Sequence, residues 1–522
     1  MSKHVFSPAA TLLRRAAALA AMALCSFGVQ AQSVIKMSVD TTRLQHITGF
    51  GCANMWGAML PISSDKVWVI DQLYGSDSPI GLNILRTEVS PNTVGDVNVG
   101  WDTPYDWHGT LPSVRRAKAK GAIIFAAPWS PPASFKTNNS TLGKTKEGKV
   151  GKLRRDYYGR FFSWLNSYLK YMSDNQASVD VISLQNEPDW TPGYSGCYYS
   201  PQDLDTLVAL YGDRLQKQRF GVKLMSAEPL GYTQNYYAPT LNDPKARQYI
   251  DIVGGHLYGH EPLVFMKPVA AMARPYGIEA WMTEHTVNPR EDTNGDSQGD
   301  VKMHYMPNWH EQLIFAEEVN EVLRSGGSAY VYWYMIDHVG FIGSGENAVG
   351  GDNTFGKVLD RAYVMSHFSK HLTGSVRLSS HSQVSEGSKA FEQSAYIKGD
   401  SLYIITIDTT RYAHTLRINV PWQLSSAKAI VSTEGQLCQE RDLSVQTGGK
   451  TVDYAMPARS ISTLVFAIDR TATGIRTLPP PGAAATVSMP VYTLQGARVP
   501  ASRVNSLPPG VYVRGGRKFV VK

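Results

Sequence analysis

Two short stretches of the sequence each place a glutamate at the end of an apolar run. SLQNEPDW, residues 183–190, contains Glu187, and WMTEHT, residues 281–286, contains Glu284. Two carboxyl groups are what hydrolysis of a glycosidic bond requires: one protonates the leaving oxygen, and the other supports the oxocarbenium-like carbon. Such a pair works when one member is protonated and the other ionised near neutral pH. The two stretches therefore predict a glycosidase, provided that the fold brings them together.

The pattern over residues 46–370 indicates which fold would do so. Eight short runs rich in Val, Ile and Leu alternate with helix-like stretches, of which 154–174 and 310–326 have clear helical spacing. The predicted strands span 47–54, 82–89, 122–129, 179–186, 222–229, 251–258, 279–284 and 329–335. Eight βα units predict an α/β fold, a closed (β/α)₈ TIM barrel. An open doubly wound sheet is the alternative, and the lack of a glycine-rich phosphate loop after the first strand weakens it.

In a barrel of this kind the chemistry lies at the C-terminal ends of the strands. Those ends carry polar or aromatic residues at nearly every predicted strand: Arg86, Trp129, Asn186, Glu187, Glu228, His256, Tyr258, Glu284, Trp333 and Tyr334. We expect Glu187, on the fourth strand, to face Glu284, on the seventh. Asn186 is placed to donate to a sugar hydroxyl, and Tyr258 to form a hydrogen bond with Glu284.

Local sequence leaves the assignment of the acid open. Glu228 precedes a proline, as Glu187 does, and either glutamate could instead close a strand. His256 and His285 could act as bases, although a structural histidine is commoner. Residues 292–300, DTNGDSQGD, lack the central glycine and the closing glutamate of an EF-hand, so they predict a polar loop. We expect neither a metal nor a cofactor.

The aromatic residues also have two interpretations. The faces of Trp129, Trp333 and Tyr334 suit the apolar faces of sugar rings, but large aromatic side chains equally fill cores. For Trp333, inside a predicted strand, the two interpretations weigh the same.

The net charge and the N-terminal sequence indicate which partners and which location to expect. The net charge is +7 over 522 residues, without a basic run interleaved with aromatics, so nucleic acid is not an expected partner. Basic residues, a short apolar run and the small residues around Ala31 predict a secretory signal peptide over residues 1–31. No stretch is long enough to span a membrane. We expect a monomer that is secreted or lies at the outer cell surface.

The cysteines and the C-terminal third complete the outline. Cys52, Cys197 and Cys438 are too few and too far apart for a disulfide framework; free buried thiols, with at most one bridge, are expected. Short alternating segments over 371–468, joined by 33–45, predict a side β-sandwich. Residues 469–487 are rich in Pro, Ala and Gly and predict a linker. Residues 488–522 predict a small C-terminal β module.

Taken jointly, these stretches resemble glycoside hydrolase family 30, especially its bacterial xylanase branch. The matching segments run in family order over about residues 33–468: ITGFG, GLNILRTEVSPN, APWSPPASFKTN, SLQNEPDW, SPQD, GGHLYG, WMTEHT, YVYWY, RAYVMSHFSKHLTGSVRL and MPARSISTLVF. The tail, with VYTLQGARV, LPPGVYV and KFVVK, resembles the C-terminal sorting domain of type IX secretion substrates.

The resemblance implies a barrel with a fused side β-sandwich and a retaining mechanism. It implies that Glu187 is the acid/base and Glu284 the nucleophile, with carboxyl groups about 5–5.5 Å apart. It also implies that six residues lie near the reacting sugar: Arg86, Trp129, Asn186, Tyr258, Trp333 and Tyr334.

One departure from the family pattern bears on the substrate. Glucuronoxylan-specific members usually carry a Tyr two residues after the nucleophile and an Arg soon after the strand-eight Trp-Tyr pair, where a guanidinium suits the glucuronate carboxylate. This chain has Thr286 and Asp337 there, although His338 or Arg290 could compensate. We therefore expect cleavage of β-1,4-xylan without dependence on the branch. The alternatives are a glucuronoxylan-specific enzyme, a glucosylceramidase- or β-1,6-glucanase-like hydrolase, and a carbohydrate-binding protein without turnover.

Overall fold

The computed structural model describes residues 34–54, 67–91, 107–258, 261–286, 309–336, 340–345, 354–385, 391–469, 491–493, 499, 507–514 and 517–521. Several sequence predictions fall outside these residues: the signal peptide over 1–31, the polar loop over 292–300, the linker beyond residue 469, and Arg290, Asp337 and His338. The chain divides into two compact units, Met1–Ala472 and Thr473–Lys522.

Eight parallel strands of the first unit close into a barrel. They are β2 (Gly49–Ala53), β3 (Ile84–Glu88), β4 (Ile123–Ala127), β5 (Val181–Ser183), β6 (Lys223–Met225), β7 (Ile252–His256), β8 (Glu279–Glu284) and β9 (Ala329–Tyr332). Pairing of Gly49 on β2 with Ala329 on β9 closes the ring. The predicted (β/α)₈ barrel is confirmed, and the open doubly wound sheet is excluded.

Helices connect successive strands around the barrel. They are α1 (Trp68–Leu73), α2 (Leu111–Ala119), α3 (Tyr158–Asp174), α4 (Pro201–Tyr211), α5 (Lys217–Phe220), α6 (Gln234–Asn242), α7 (Pro244–Arg247), α8 (Pro262–Ala273), α9 (Trp309–Arg324) and α10 (Asp360–Leu372). On α3, Phe161, Leu165, Tyr168 and Met172 recur at helical spacing and are all buried, which explains why this stretch packs as an amphipathic helix. Helix α4 begins with a reciprocal Ser200–Asp203 capping box.

Apolar side chains fill the inside of the barrel. Ile84, Phe125, Met225, Ile252 and Trp281 come from different strands and form one buried cluster. The rings of Phe125 and Trp281 meet edge to face, with centroids 6.1 Å apart. Because the interior is packed, as it is in barrels of this type, polar groups that serve chemistry must lie at the rim above this cluster.

A nine-stranded sheet lies beside the barrel within the first unit. Its strands are β1 (Val34–His46), β10 (Val376–Ser382), β11 (Phe391–Lys398), β12 (Ser401–Asp408), β13 (His414–Asn419), β14 (Leu424–Thr433), β15 (Gln436–Leu443), β16 (Thr451–Met456) and β17 (Ser460–Ile468). Strand β1 lies inside the sheet, between β10 and β13, so the N-terminal strand does join the later segments. The sheet encloses its own apolar core, as expected for the predicted side β-sandwich.

The second unit contains a small antiparallel sheet of three strands. These are β18 (Val491–Thr493), β19 (Gly510–Arg514) and β20 (Arg517–Val521), with β19 in the middle. The predicted C-terminal β module is therefore present as a fold. Its resemblance to a sorting domain stays a prediction.

The three cysteines of the described residues are free thiols. Burial raises the pKa of the Cys52 thiol to about 12 and that of the Cys197 thiol to about 11. Cys438 is half-buried beside Ser366 and Ser432. Among the helices that the structure describes, none combines the length and the apolar composition needed to cross a membrane.

Candidate active site

The C-terminal rim of the barrel brings together residues that lie far apart in sequence. Arg86 lies on β3, His256 ends β7 and Glu284 ends β8. Asn186 and Glu187 follow β5, and the remaining members lie in the first residues beyond their strands: Trp129, Glu228, Tyr258, Trp333 and Tyr334. All the barrel strands except β8 are shorter than predicted, so much of the site lies on the loops that leave the barrel rather than on the strands themselves.

Glu187 and Glu284 meet at this rim. One carboxylate oxygen from each, together with a ring nitrogen of His256, lie within 4.8 Å of one another. The two glutamates are 8% and 7% exposed, so each retains a small opening to solvent. A separation this short is typical of a carboxylate pair in which one member attacks carbon directly, because a pair that activates a water between its members stands about 6.5–9.5 Å apart.

Glu284 accepts two hydrogen bonds, one from a residue on β3 and one from a residue just after β7. Arg86 donates from Nη1 to Oε2 at 2.5 Å, and the Tyr258 hydroxyl donates to Oε1 at 3.1 Å. Both donors fix the carboxylate in one orientation at the end of β8. An oriented carboxylate between a guanidinium and a phenol suits a nucleophile. The same donors stabilise its negative charge when it is released from the sugar carbon.

The backbone of Glu187 is held in an uncommon conformation. Its φ is +44°, in the left-handed region that side-chain-bearing residues seldom occupy. Its N–H donates to the carbonyl of Glu228 at 2.8 Å, and the N–H of Asn186 donates to the carbonyl of Pro128 at 2.8 Å. These bonds from two neighbouring loops stabilise the strained residue and direct its side chain toward Glu284.

His256 is fully buried and lies against Glu187. Its Nδ1 is 3.0 Å from Oε1 of Glu187. Burial lowers the pKa of His256, but the carboxylates of Glu284, Glu187 and Glu228 outweigh that effect and raise it to about 9. The imidazole is therefore a cation at neutral pH and donates to Glu187.

Arg86 lies beneath the two glutamates and contacts several members of the site. It is fully buried, and its Nη2 lies 2.7 Å from Oδ1 of Asn186 and 3.1 Å from Oε2 of Glu228. The ring of Trp129 lies 4.8 Å from its Cζ, a cation–π distance. Burial opposes the charge of Arg86, but Glu228 and Glu284 outweigh it and raise its pKa.

The aromatic residues divide by exposure. Trp129 and Tyr334 are only 2% and 4% exposed and belong to the core cluster inside the barrel. Trp333 is half-buried, with its ring centroid 6.3 Å from that of Trp129. Trp333 thus offers a ring surface to the cleft, whereas the other two rings mainly support it and Arg86. Direct contact of any of the three with a sugar stays a prediction.

Two residues that follow Glu284 have their polar groups engaged by other parts of the protein. His285 places Nδ1 2.6 Å from Oε1 of Glu318, and Tyr330 donates to the same oxygen at 2.5 Å. Thr286 is buried, and its hydroxyl donates to the carbonyl of Trp333. His285 is therefore a structural histidine, and the Thr286 hydroxyl is engaged with the backbone.

Sequence reasoning did not find the place of three neighbours of the pair. Glu228 was a rival candidate for the acid and His256 a possible base, but nothing in their local sequence indicated that both lie buried against Arg86. Tyr194 follows Glu187 by seven residues in the loop after β5; burial and the carboxylates of Glu187 and Glu284 raise its pKa. No local pattern marks Tyr194, because the loop alone determines its position.

The same cluster carries donor atoms that a metal ion could bind. Among the described residues, Glu187, His256 and Glu284 are the one group of three or more that could jointly ligate an ion. A ligating histidine must be neutral, whereas His256 holds its proton up to a pKa of about 9. The guanidinium of Arg86 already occupies one oxygen of Glu284. The donor set favours an ion-pair network over a metal.

No protein-family model matches the chain. Glucuronoxylanase XynC of Bacillus subtilis is 27% identical over 453 residues, which cover 84% of this chain and 92% of that protein. The structure is also similar to Xyn30A of Clostridium acetobutylicum, a family 30 subfamily 8 xylanase, with a TM-score of 0.68 and 29% identity over 83% of this chain and 99% of that one.

A family 30 endoxylanase of Clostridium papyrosolvens gives a TM-score of 0.64 at 25% identity, covering 83% of this chain and all of that one. These likenesses extend over both the barrel and the side sheet. The fold, the paired carboxyl groups and the comparisons together identify the chain as a glycoside hydrolase similar to the family 30 xylanases.

Proposed function

We propose that this chain is a retaining endo-β-1,4-xylanase that does not require a glucuronate branch. The observation that carries the proposal is the approach of Glu187 and Glu284, with an oxygen of each within 4.8 Å at the barrel rim. The similar proteins are named for action on xylan or glucuronoxylan. The proposal includes export, because the polysaccharide substrate lies outside the cell.

In the first step Glu284 attacks the anomeric carbon and Glu187 gives its proton to the departing glycosidic oxygen. The C–O bond to the leaving sugar breaks as the ester bond to Glu284 forms. Arg86 and Tyr258 donate hydrogen bonds to Glu284. Because they are already in place, they need little rearrangement as the carboxylate loses its negative charge on forming the ester.

In the second step Glu187, now a carboxylate, removes a proton from water. The oxygen of that water attacks the same carbon, and the ester bond to Glu284 breaks. Two inversions leave the configuration of the sugar unchanged. His256, which lies 3.0 Å from Glu187, orients that residue in both steps.

Independence from the branch rests on Thr286. Glucuronoxylan-specific members of the family that the sequence resembles usually carry a tyrosine at this position. Here the threonine is buried, and its hydroxyl donates to the backbone carbonyl of Trp333. It therefore offers no hydroxyl to a glucuronate carboxylate.

The catalytic roles are tested with Glu187→Gln and Glu284→Gln on xylan and on an aryl xyloside whose leaving group needs no proton. E284Q should lose turnover of both substrates. E187Q should lose about 10²–10⁴-fold on xylan but still release the aryl group, because only the natural leaving oxygen needs an acid. Glu279→Gln, at the opposite end of β8, is the matched control and should keep turnover. Equal losses on both substrates in E187Q would contradict its role as the acid.

The substrate is tested by comparing rates on unbranched xylan, arabinoxylan, glucuronoxylan and β-1,6-glucan, with NMR detection of the first anomer released. We expect hydrolysis of all three xylans and initial release of the β-anomer. Hydrolysis of glucuronoxylan alone would refute independence from the branch. Preference for the β-glucan, or initial release of the α-anomer, would refute the proposed activity itself.

A further inference from the structure

A third carboxylate lies beneath the pair and has no place in the two chemical steps. Glu228 follows β6 in the sequence AEP, much as Glu187 follows β5 in NEP, yet its side chain is fully buried. Its Oε2 lies 3.1 Å from Nη2 of Arg86 and 3.8 Å from Nε2 of His256. Because it has no exposure, Glu228 cannot touch a sugar.

The backbone of β7 makes room for this group. A Cβ atom added at Gly254 would lie 2.3 Å from Sδ of Met225 and 3.2 Å from Cγ of Glu228. The glycine thus lets the glutamate lie against the strand that carries His256. A carboxylate is costly to bury, so a place built for one needs compensating cations.

The charges of the site supply that compensation. Three carboxylates, Glu187, Glu228 and Glu284, face two cations, Arg86 and His256. Acid catalysis requires Glu187 to carry a proton in the resting enzyme. In that state the carboxylates of Glu228 and Glu284 balance the cations Arg86 and His256. Without Glu228 one positive charge would have no counter-charge in the network.

Other ionisable groups of the described residues surround the network without contacting Arg86 or His256 through an ion pair. Those that interact electrostatically with its members are Asp189 and Tyr194 after β5, Tyr232 after β6, Tyr237 on α6 and Tyr258 after β7. The tyrosines have raised pKa values and stay neutral. Burial raises the pKa of Asp189, whose Oδ1 accepts from the N–H of Leu230.

We propose that Glu228 is a positioning residue whose negative charge balances Arg86 and His256 and thereby keeps the proton on the acid/base Glu187. The inference rests on the proposed function, since it assigns a role relative to the acid of that mechanism. Removing the charge leaves two cations against Glu284 alone when Glu187 is protonated. The site then relieves the excess by releasing a proton at lower pH.

The experiment compares kcat/KM as a function of pH on unbranched xylan for the full chain, Glu228→Gln and Glu228→Asp. E228Q should shift the basic limb of the profile to lower pH by about one unit, so that activity above the limb falls about tenfold while activity on the acidic side is kept. E228D retains the charge farther from both cations and should shift the limb in the same direction by less. Glu279→Gln controls for loss of a hydrogen-bonded barrel glutamate, half-buried at the other end of β8, and should leave the profile in place.

Several outcomes would overturn the inference. An unchanged basic limb in E228Q, with only a lower Tm, would make Glu228 a structural residue; so would an equal loss at every pH. If E228Q does not fold, E228D carries the test, and an unshifted limb in E228D refutes the role. A wild-type chain that does not hydrolyse xylan refutes the proposed function, whereas an active wild type with an unshifted variant refutes only the role of Glu228.

Discussion

Arg86 is the residue on which the geometry of the site depends most directly. Its two terminal nitrogens contact a nucleophile candidate, an amide and a buried carboxylate, at 2.5 Å to Glu284, 2.7 Å to Asn186 and 3.1 Å to Glu228. A planar guanidinium makes these contacts simultaneously because its donors point in fixed directions. An ammonium group has one nitrogen and cannot occupy both positions.

Arg86→Lys should therefore lower kcat by about 10²–10³-fold, although it keeps the charge. The expected cause is loss of orientation at Glu284 and Asn186. Steady-state kinetics on xylan measures the effect. Arg116→Lys is the matched control, because Arg116 makes a two-pronged contact with Asp71 at the surface, far from the rim. Activity of R86K near that of R116K would show that only the charge of Arg86 matters.

At the scale of elements, β7 shows how glycine allows close packing around the site. A Cβ atom at Gly255 would lie 2.4 Å from the hydroxyl of Tyr237 and 2.8 Å from the ring of Tyr232. These tyrosines donate to backbone carbonyls of the same strand: Tyr237 to Gly254 at 2.8 Å, and Tyr232 to Val253 at 3.1 Å. The strand and the segment after β6 are thereby held together directly beneath His256.

Gly255→Ala should lower the free energy of unfolding by about 1–3 kcal/mol, because the added methyl overpacks this contact. Denaturant unfolding of the full chain measures the change. Gly193→Ala is the control, since a Cβ atom at Gly193 would meet nothing within 4 Å. Equal stability of the two variants would show that Tyr232 and Tyr237 move to accommodate the methyl group without loss of stability.

The order of the strands and helices was predictable from sequence. The roles of the residues at the strand ends, and the points at which the strands end, were not. Apolar runs separated by helical stretches determine eight βα units, and a parallel barrel follows from them. Glu187 and Glu228 both precede a proline, however, and differ in burial, because Glu228 lies against Arg86, from another strand. Strands β5 and β6 end after three residues, since the backbone beyond them bonds to neighbouring loops, for example Glu187 to Glu228. Such contacts between distant segments leave no local pattern.

At the scale of the whole molecule, the side sheet and the barrel share a buried polar contact. Glu392 on β11 is fully buried and accepts from Nδ2 of Asn320 on α9 at 2.7 Å, with Nη1 of Arg324 at 3.4 Å. Burial raises the pKa of Glu392 to about 8, with Glu321 adding to the effect and Arg324 opposing it. The folded chain therefore binds this proton more tightly than the unfolded chain does.

The folded chain should lose stability as Glu392 ionises. The contribution of Glu392 to stability is fully present below its unfolded pKa, about 4.3, and is lost as pH rises through about 8. Glu392→Gln, which cannot ionise, should unfold with less dependence on pH across this range. Thermal unfolding at several pH values measures it. Glu440→Gln, an exposed position of the same sheet paired with Lys428, should keep the wild-type slope; the same slope in E392Q would contradict the role of Glu392.

The free thiols have a practical consequence for preparing the protein. Since no disulfide joins Cys52, Cys197 and Cys438, the described part of the first unit has no disulfide to form and folds without an oxidant or a disulfide isomerase. A reducing bacterial cytoplasm is then a suitable host. Alkylating reagents should leave the two deeply placed sulfurs unmodified in the native state, because the reactive thiolate is suppressed there.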